Sequence, residues 1–240
     1  MKCVLLAAGK SSRMFGALKK PKCLLEIENK TLIEKLILNL KGLKINKIYI
    51  VVGFKSHLIK KSLNHLKFLN FIHNNNYAKK EMLYSMILAL KKIDDDIIFS
   101  YSDITYDKII IKKLINKKNN MYLPILSQWQ KVWKKRKKNI LGDAEDLKID
   151  KRSNLVHIGG KIKIIKNVKY QFMGIVFIPK KIRKRIIELY ETLKNNDKMH
   201  LTSFLNFLIK KNINIKCLKY NNHWYEFDDM GDYLNYIKNI

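Results

Sequence analysis

The sequence is short of cysteine, proline and glycine. Its three cysteines are odd in number and lack the spacing of a metal site, which indicates a reduced, cytoplasmic protein. Only three prolines and nine glycines are present, and neither a linker nor an internal repeat marks a boundary, so we expect one domain over residues 1–240. Apolar runs of roughly 20 residues are also absent, which excludes insertion into a membrane. The cysteines are Cys3, Cys23 and Cys217.

Acidic residues are scarce. Twenty Asp and Glu stand against 49 Lys and Arg, for a formal net charge of +29. Such a charge predicts anionic partners, and nucleotides satisfy it as well as nucleic acids or anionic membranes do. Because Lys is spread over nearly every segment, the charge looks like a bias of composition, and we expect no specific nucleic-acid partner.

The first residues form an apolar run that leads into small side chains. Residues 3–6 (CVLL) precede residues 7–9 (AAG), a polar stretch and residues 20–22 (KPK). Small residues let the backbone approach an anion, whose charge the bare N–H groups then bind. The pattern is neither GxGxxG nor GxxxxGK[ST]. Only five basic residues are Arg, so Arg13 in this loop indicates a need for its planar, bidentate fork.

Predicted strands and helices alternate along the first half. This order implies right-handed crossovers and a mainly parallel sheet, whose ligands bind outside the carboxyl ends of the strands. The loop after Leu6 and the residues after Tyr101 would both lie there. Thr31 and Glu34 form a capping box before the first helix. The predicted strands are 3–6, 47–52, 68–72 and 97–101, and the predicted helices are 31–43, 56–66 and 81–93.

The second half is less regular. Its last helix follows acidic residues, of which Asp229 or Asp232 should be the N-cap. Helices are predicted at 106–117, 180–193, 202–211 and 229–240, and strands at 121–126, 155–158, 171–178, 213–218 and 224–227.

The rare carboxylates are clustered. Four of the 20 acidic residues lie within residues 226–232, and Asp103 follows the predicted strand 97–101. The period of two in a strand puts Glu226 and Asp228 on one face. Oxygen ligands of this kind hold the hard cations that phosphoryl transfer needs, so these side chains could meet across one Mg²⁺.

Residues 129–145 (WQKVWKKRKKNILGDAE) mix basic and aromatic side chains. One interpretation is nucleic-acid binding, with Trp stacking on bases and Lys neutralising phosphates. Another is an amphipathic, solvated helix that buries Trp129 and Trp133.

Several of these motifs together resemble a known enzyme family. LAAGKSSRM with KKPK, and NHWYEFDDMGDYL, are similar to nucleotidyltransferases, in particular cytidylyltransferases acting on phosphocholine, 2-aminoethylphosphonate or phosphorylated glutamine. The resemblance implies an α/β fold, a Rossmann-like α/β/α sandwich with a mainly parallel central sheet and a small substrate-side subdomain. Residues of about 1–125 would form the nucleotide-binding half. Those of about 126–240 would bind the acceptor and complete the metal site.

The resemblance also implies roles for single residues. Arg13 would grip phosphate and Lys22 would lie near the α-phosphate, as the catalytic pair. Relatives often carry D-x-D where this chain has only Asp103, and often Asn in place of Glu81. The implied Mg²⁺ ligands are Asp103, Glu226 and Asp228. The implied nucleotide-binding residues are Leu6, Ala7, Ala8, Gly9, Ser11, Ser12, Arg13, Lys22, Glu81, Ser85 and Tyr101.

A third interpretation of residues 129–145 follows from the resemblance, because W-x₃-W-x₂-R followed by D-A-E occurs in the phosphoglutamine branch. Arg136 would bind the phosphate or phosphonate of the acceptor. Asp143 and Glu145 would receive a cationic amino group. Trp133 and Thr202 would contact the acceptor, and Trp224 would pack in the wall of its pocket.

The sequence thus predicts a Mg-dependent enzyme that couples CTP to a small anionic phosphate or phosphonate acceptor, with release of pyrophosphate. Two alternatives are a sugar-1-phosphate nucleotidyltransferase that uses another NTP and a non-catalytic basic nucleic-acid-binding protein. The identity of the acceptor and the formation of a homodimer are left open.

Overall fold

A central sheet of eight strands organises the structure, a computed structural model that describes residues 1–12, 14, 19–136, 144–162, 164–194 and 196–239. The strands in this part of the chain are β1 (Lys2–Ala7), β2 (Glu26–Ile27), β3 (Lys30–Thr31), β4 (Lys47–Val52), β5 (Leu69–His73), β6 (Ile97–Tyr101), β7 (Ile104–Tyr106), β8 (Met121–Leu126), β9 (Glu145–Ile149), β10 (Leu155–Lys161), β11 (Gln171–Phe172), β12 (Ile175–Ile178), β13 (Ile215–Tyr220) and β14 (Trp224–Glu226). The α-helices described are α1 (Leu32–Leu40), α2 (Ser56–Ser62), α3 (Met82–Lys92), α4 (Ile109–Ile115), α5 (Trp129–Arg136), α6 (Lys180–Glu191), α7 (Leu201–Lys210) and α8 (Met230–Ile237).

The sheet has the order β11-β8-β12-β6-β1-β4-β5, and β13 pairs with β8. Strands β6, β1, β4 and β5 are parallel neighbours, so their carboxyl ends meet at one edge. Strand β12 runs antiparallel to both β6 and β8. The predicted mainly parallel sheet is confirmed.

Both faces of the sheet are covered, because the central strand is apolar on both sides. Cys3 and Leu5 of β1 pack in one core cluster, which includes side chains of α1, α4 and α5. Val4 and Leu6 pack in the other, together with α3, α6 and α7. A strand buried on both faces has the continuous apolar sequence typical of parallel sheets. The α/β/α arrangement is therefore as predicted.

Two predicted helix caps are present. The Thr31 hydroxyl accepts a hydrogen bond from the backbone N–H of Glu34, 3.3 Å away, and begins α1. The Asp229 carboxylate accepts one from the N–H of Asp232 at 3.0 Å and begins α8. Each cap satisfies one of the amides that the first turn of a helix leaves unpaired.

The structure differs from the predicted elements at several positions. The strand predicted over 171–178 is interrupted at Gly174, which has a φ of +73°. Tyr106 lies in β7 and not in a helix, and β2, β3, β7 and β9 were not predicted. Within residues 129–145, Trp129–Arg136 form helix α5, as the interpretation as an amphipathic helix predicts, with Trp129 only 1% and Trp133 only 3% exposed. Because the indoles are buried, they are not offered to the bases of a nucleic acid.

The interruption at Gly174 generates a prediction about stability. A Cβ at this position would lie 2.8 Å from Cδ2 of Tyr101, and the φ disfavours any L side chain. We expect Gly174→Ala to lower the free energy of unfolding by about 2–4 kcal/mol, the sum of backbone strain and steric overlap. Denaturant titration followed by circular dichroism measures it.

Gly42→Ala is the matched control, since Gly42 also has a positive φ of +79° but open space around the added Cβ. The Gly42→Ala substitution should lower the free energy of unfolding by only about 1 kcal/mol. Equal losses in the two variants would contradict the role of the Tyr101 contact.

Candidate active site

Two adjoining cavities lie at the carboxyl edge of the parallel strands. The larger, of about 470 Å³, is lined by the loop after β1, by residues after β5 and by residues after β6; we call it the loop cavity. The smaller, of about 310 Å³, extends towards β9 and α7; we call it the acid cavity. The parallel topology therefore produces a cleft where ligands of such sheets bind.

The loop after β1 lies in the wall of the loop cavity, as predicted. The Ser11 hydroxyl accepts a hydrogen bond from the backbone N–H of Lys22 at 3.0 Å, which ties the loop to the turn that begins at Pro21. A Cβ added to Gly9 would meet no atom within 4 Å, so the backbone there borders open space. Arg13 lies outside the described residues. The lining residues from the end of β1 and the loop after it are Leu6, Ala7, Ala8, Gly9, Lys10, Ser11 and Ser12.

The opposite wall of the loop cavity comes from the segment after β5. Glu81, Ser85 and Tyr101, which the sequence predicted, all line it. The sequence did not predict Asn74, which is 1% exposed and donates a hydrogen bond to the Ser85 hydroxyl at 2.9 Å. Its position directly after a buried parallel strand was the signal that could have identified it.

Three carboxylates line the loop cavity together, one of them more than a hundred residues before the other two. They are those of Asp103, Glu226 and Asp228. Strand β14 pairs with β7, which follows Asp103, and the N–H of Phe227 donates to the Asp103 carbonyl at 2.9 Å. This short two-stranded sheet brings the acidic cluster near the end of the chain to the carboxyl end of β6.

The ammonium of Lys22 lies between two of these carboxylates. Its Nζ is 2.6 Å from Oδ2 of Asp103 and 3.6 Å from Oδ1 of Asp228. Burial by itself lowers the pKa of Lys22, but the two carboxylates outweigh burial and hold that pKa above its ordinary value. Lys22 is therefore charged here. Among the described residues, no three His, Cys, Asp or Glu side chains form a ready-made metal site.

Burial shifts the pKa of Glu226 upwards, whereas it shifts that of Lys22 downwards. The negative charge of Asp228 raises the pKa of Glu226 further. Arg136 opposes this rise, since a nearby cation favours the ionised carboxylate. The charge of Glu226 thus depends on the cations beside it.

The acid cavity shares Glu81, Met82, Tyr101, Glu226 and Asp228 with the loop cavity. Glu145 also lines it, and Oε1 of that residue accepts a hydrogen bond from the Thr202 hydroxyl at 3.3 Å. Within the described part of the chain, its lining includes four carboxylates and neither Lys nor Arg. In a protein of net charge +29, this wall is exceptional and suits a cationic group.

Two residues predicted at the acceptor pocket lie behind it. Arg136, expected to bind the acceptor phosphate, is not among the described residues that line either cavity, because its side chain is fully buried against Asp232 behind the acidic wall. Trp224, expected in the pocket wall, stacks on the ring of Trp133, with 5.2 Å between the ring centroids and 5° between the ring planes, and Trp133 lines the acid cavity. Asp143 lies outside the described residues.

Comparison with known proteins assigns the family. The model of the MobA-like NTP transferase domain matches residues 3–196. The chain belongs to this family. It is 34% identical over 247 residues to CTP:phosphoglutamine cytidylyltransferase of Campylobacter jejuni subsp. jejuni serotype O:2, an alignment that covers 97% of each protein. The prediction of a nucleotidyltransferase is confirmed.

Solved structures confirm the fold of this NTP transferase. The inositol-1-phosphate CTP transferase from T. maritima matches with a TM-score of 0.78 and 17% identity, over 99% of this chain and 94% of that one. CTP:phosphocholine cytidylyltransferase from Streptococcus pneumoniae matches with a TM-score of 0.77 and 18% identity, over 99% and 97%. None of the helices in the described part of the chain is long and apolar enough to cross a bilayer.

The contacts of Lys22 generate the second prediction. Replacing Lys22 by Met leaves the carboxylates of Asp103 and Asp228 without the ammonium between them, so we expect the free energy of unfolding at pH 8 to fall by about 3 kcal/mol. Denaturant titration of the variant and of the natural sequence measures the change.

Lys20→Met is the matched control, because Lys20 forms a more exposed pair with Glu26 at 3.4 Å. The Lys20→Met substitution should lower the free energy of unfolding by no more than about 0.5 kcal/mol. A Lys22→Met variant as stable as this control would show that the ammonium does not hold the carboxylates together.

Proposed function

We propose that this NTP transferase is a cytidylyltransferase that couples CTP to a small phosphorylated or phosphonate acceptor bearing an ammonium group. The loop cavity would take the nucleotide and the acid cavity the acceptor. The observation that carries this proposal is the wall common to both cavities, which includes Tyr101, Glu226 and Asp228. Two substrates bound on either side of it would have their reacting groups side by side.

The identity of the nucleotide rests on the relative that is 34% identical, whose name specifies CTP. Within the loop cavity, Ser85 and Glu81 offer hydrogen-bonding groups opposite the glycine loop. The base would lie on that side, and the phosphates against the loop of β1, where backbone N–H groups can bind anions.

We further propose that the enzyme uses Mg²⁺. The carboxylates of Asp103, Glu226 and Asp228 are the all-oxygen donor set that Mg²⁺ prefers, and Lys22 already supplies positive charge between two of them. When bound, the ion would neutralise negative charge on the phosphate oxygens and on the leaving pyrophosphate.

The protein's own contribution is positioning and charge. An acceptor oxygen attacks the α-phosphorus of CTP in line, a P–O bond to it forms, and the bond to pyrophosphate breaks. Lys22, released from the carboxylates, would place its ammonium beside the α-phosphate and offset the charge that grows there. The loop and the common wall hold the two substrates in register, which converts a bimolecular step into a nearly unimolecular one.

The acid cavity indicates the class of acceptor. The Glu145 carboxylate is held by the Thr202 hydroxyl, and its backbone N–H donates to the Gln171 side chain at 3.0 Å. A carboxylate fixed in this way suits an ammonium group. Phosphoglutamine, the acceptor in the name of the C. jejuni relative, carries one, as do 2-aminoethylphosphonate and, in quaternary form, phosphocholine.

A substrate panel tests the proposal. Each of CTP, UTP, ATP, GTP and dTTP is mixed with Mg²⁺ and one of phosphoglutamine, 2-aminoethylphosphonate, phosphocholine, inositol 1-phosphate and glucose 1-phosphate, and pyrophosphate release is followed. We expect turnover with CTP and an amine-bearing acceptor. Asp103→Asn should lower kcat at least 100-fold, because a charged ligand is lost at the reacting phosphate. Turnover of a hexose 1-phosphate with another NTP in place of CTP would contradict the proposal.

The role of Glu145 is tested separately. Glu145→Gln keeps the shape of the side chain but removes its charge, so we expect KM for an amine-bearing acceptor to rise about 10- to 100-fold with an unchanged KM for CTP. Asp146→Asn is the control on the same strand; Asp146 pairs with Lys148 at 3.0 Å and does not line the described walls of the acid cavity. Equal effects of the two substitutions would contradict ammonium binding by Glu145.

A further inference from the structure

A buried ion pair lies directly behind the wall common to the two cavities. Arg136 ends α5 and Asp232 lies in the first turn of α8, and both side chains have no exposed surface. The guanidinium is held at two points, with Nε 3.4 Å from Oδ1 and NH2 3.1 Å from Oδ2 of Asp232. Such a two-point contact fixes the plane of the guanidinium as well as its position.

The remaining donors of Arg136 reach the two carboxylates that line the cavities. NH1 is 3.3 Å from Oε2 of Glu226, and NH2 is 3.5 Å from Oδ2 of Asp228. Asp232 holds the second of these residues directly as well, since its Oδ2 accepts a hydrogen bond from the backbone N–H of Asp228 at 2.8 Å. The pair therefore holds the side chain of Glu226, and both the side chain and the backbone N–H of Asp228.

Three aromatic rings also lie beside the guanidinium. Its carbon is 4.8 Å from the ring centre of Trp133, 5.6 Å from that of Tyr225 and 5.9 Å from that of Trp224. Cation–π contacts of this kind stabilise the charge where water cannot reach it. Trp133 itself lines the acid cavity, and Arg136 is not among the described residues that do.

We propose that Arg136 and Asp232 are positioning residues, which fix the carboxylates of Glu226 and Asp228 for the metal, and that Arg136 does not contact the acceptor. The inference rests on the proposed function, because it assigns a purpose to the wall on which both substrates meet. A buried ion pair is weak evidence for stability by itself, since desolvation costs about as much as the attraction returns. Residues that orient metal-binding side chains from behind, in contrast, typically change metal affinity about 10- to 100-fold when replaced.

The choice of residue type supports this assignment. Arginine is rare in a chain with five Arg among 49 basic residues. An ammonium could not reproduce the planar fork that spans Asp232, Glu226 and Asp228 at once. The carboxylate of Asp232 also has two partners, because it accepts hydrogen bonds from the Arg136 guanidinium and from the backbone N–H of Asp228.

The test compares Arg136→Lys, Arg136→Met and Asp232→Asn with the natural sequence. Mn²⁺ affinity is measured by electron paramagnetic resonance in the presence of α,β-methylene-CTP and without acceptor. Acceptor affinity is measured by calorimetry with phosphoglutamine. We expect Mn²⁺ to bind at least 10-fold more weakly to each variant, while acceptor affinity changes less than 3-fold. In turnover assays of the three variants, kcat should fall and KM for the acceptor should stay unchanged.

Arg183→Lys and Asp94→Asn are the matched controls, since these residues form an ion pair at 2.9 Å outside the described walls of both cavities. Neither should alter Mn²⁺ affinity. If Arg136→Met does not fold, as judged by circular dichroism, Arg136→Lys and Asp232→Asn decide the question.

Unchanged Mn²⁺ affinity in the variants that fold would overturn the inference, because the pair would then be merely structural. Loss of acceptor affinity, alone or together with Mn²⁺ affinity, would also overturn it, because Arg136 would then bind the acceptor. Failure of the natural sequence to bind Mn²⁺ with the CTP analogue would instead refute the proposed function, and the inference would fall with it.

Discussion

The charge balance around three carboxylates is the constraint on which the site depends. Asp103, Glu226 and Asp228 are brought to one wall by the pairing of β7 with β14, and their mutual repulsion must be offset there. Lys22 offsets it from the loop side and Arg136 from the core side. Burial and the like charges raise the pKa of Glu226 despite these cations, and without them it would rise further.

The two cations differ in a way that suits different tasks. Lys22 lines the loop cavity with a single ammonium on a flexible stem. Arg136 is fixed at two points by Asp232 and enclosed by aromatic rings. One charge can therefore leave the carboxylates when a nucleotide and metal arrive, while the other continues to hold them. This division connects the resting charge balance to the proposed transfer of a nucleotidyl group.

Sequence reasoning predicted those parts whose signal is local. The continuous apolar residues of β1 and β4 predicted a parallel sheet, which the structure has. The small residues after Leu6 predicted a loop open to an anion, and that loop lines the loop cavity. The acidic pair Glu226 and Asp228 was identifiable because carboxylates are rare in this chain. These features are visible within a few residues of sequence.

The remaining features depend on contacts between distant segments. Strand β7 has three residues, too few for a pattern, and exists because β14 pairs with it. Arg136 was expected to face the acceptor, since neither its burial nor its pairing with Asp232, 96 positions away, can be inferred from a basic helix. Asn74 gave no signal beyond its place after a strand.

The central claim is that Asp103, Glu226 and Asp228 converge on one divalent ion beside the loop of β1. Anomalous diffraction from a crystal soaked with Mn²⁺ and α,β-methylene-CTP tests it most directly. The account predicts a peak at about 2.0–2.2 Å from oxygens of these carboxylates, with Lys22 moved to the phosphates. A peak elsewhere, with Lys22 still between Asp103 and Asp228, would contradict it.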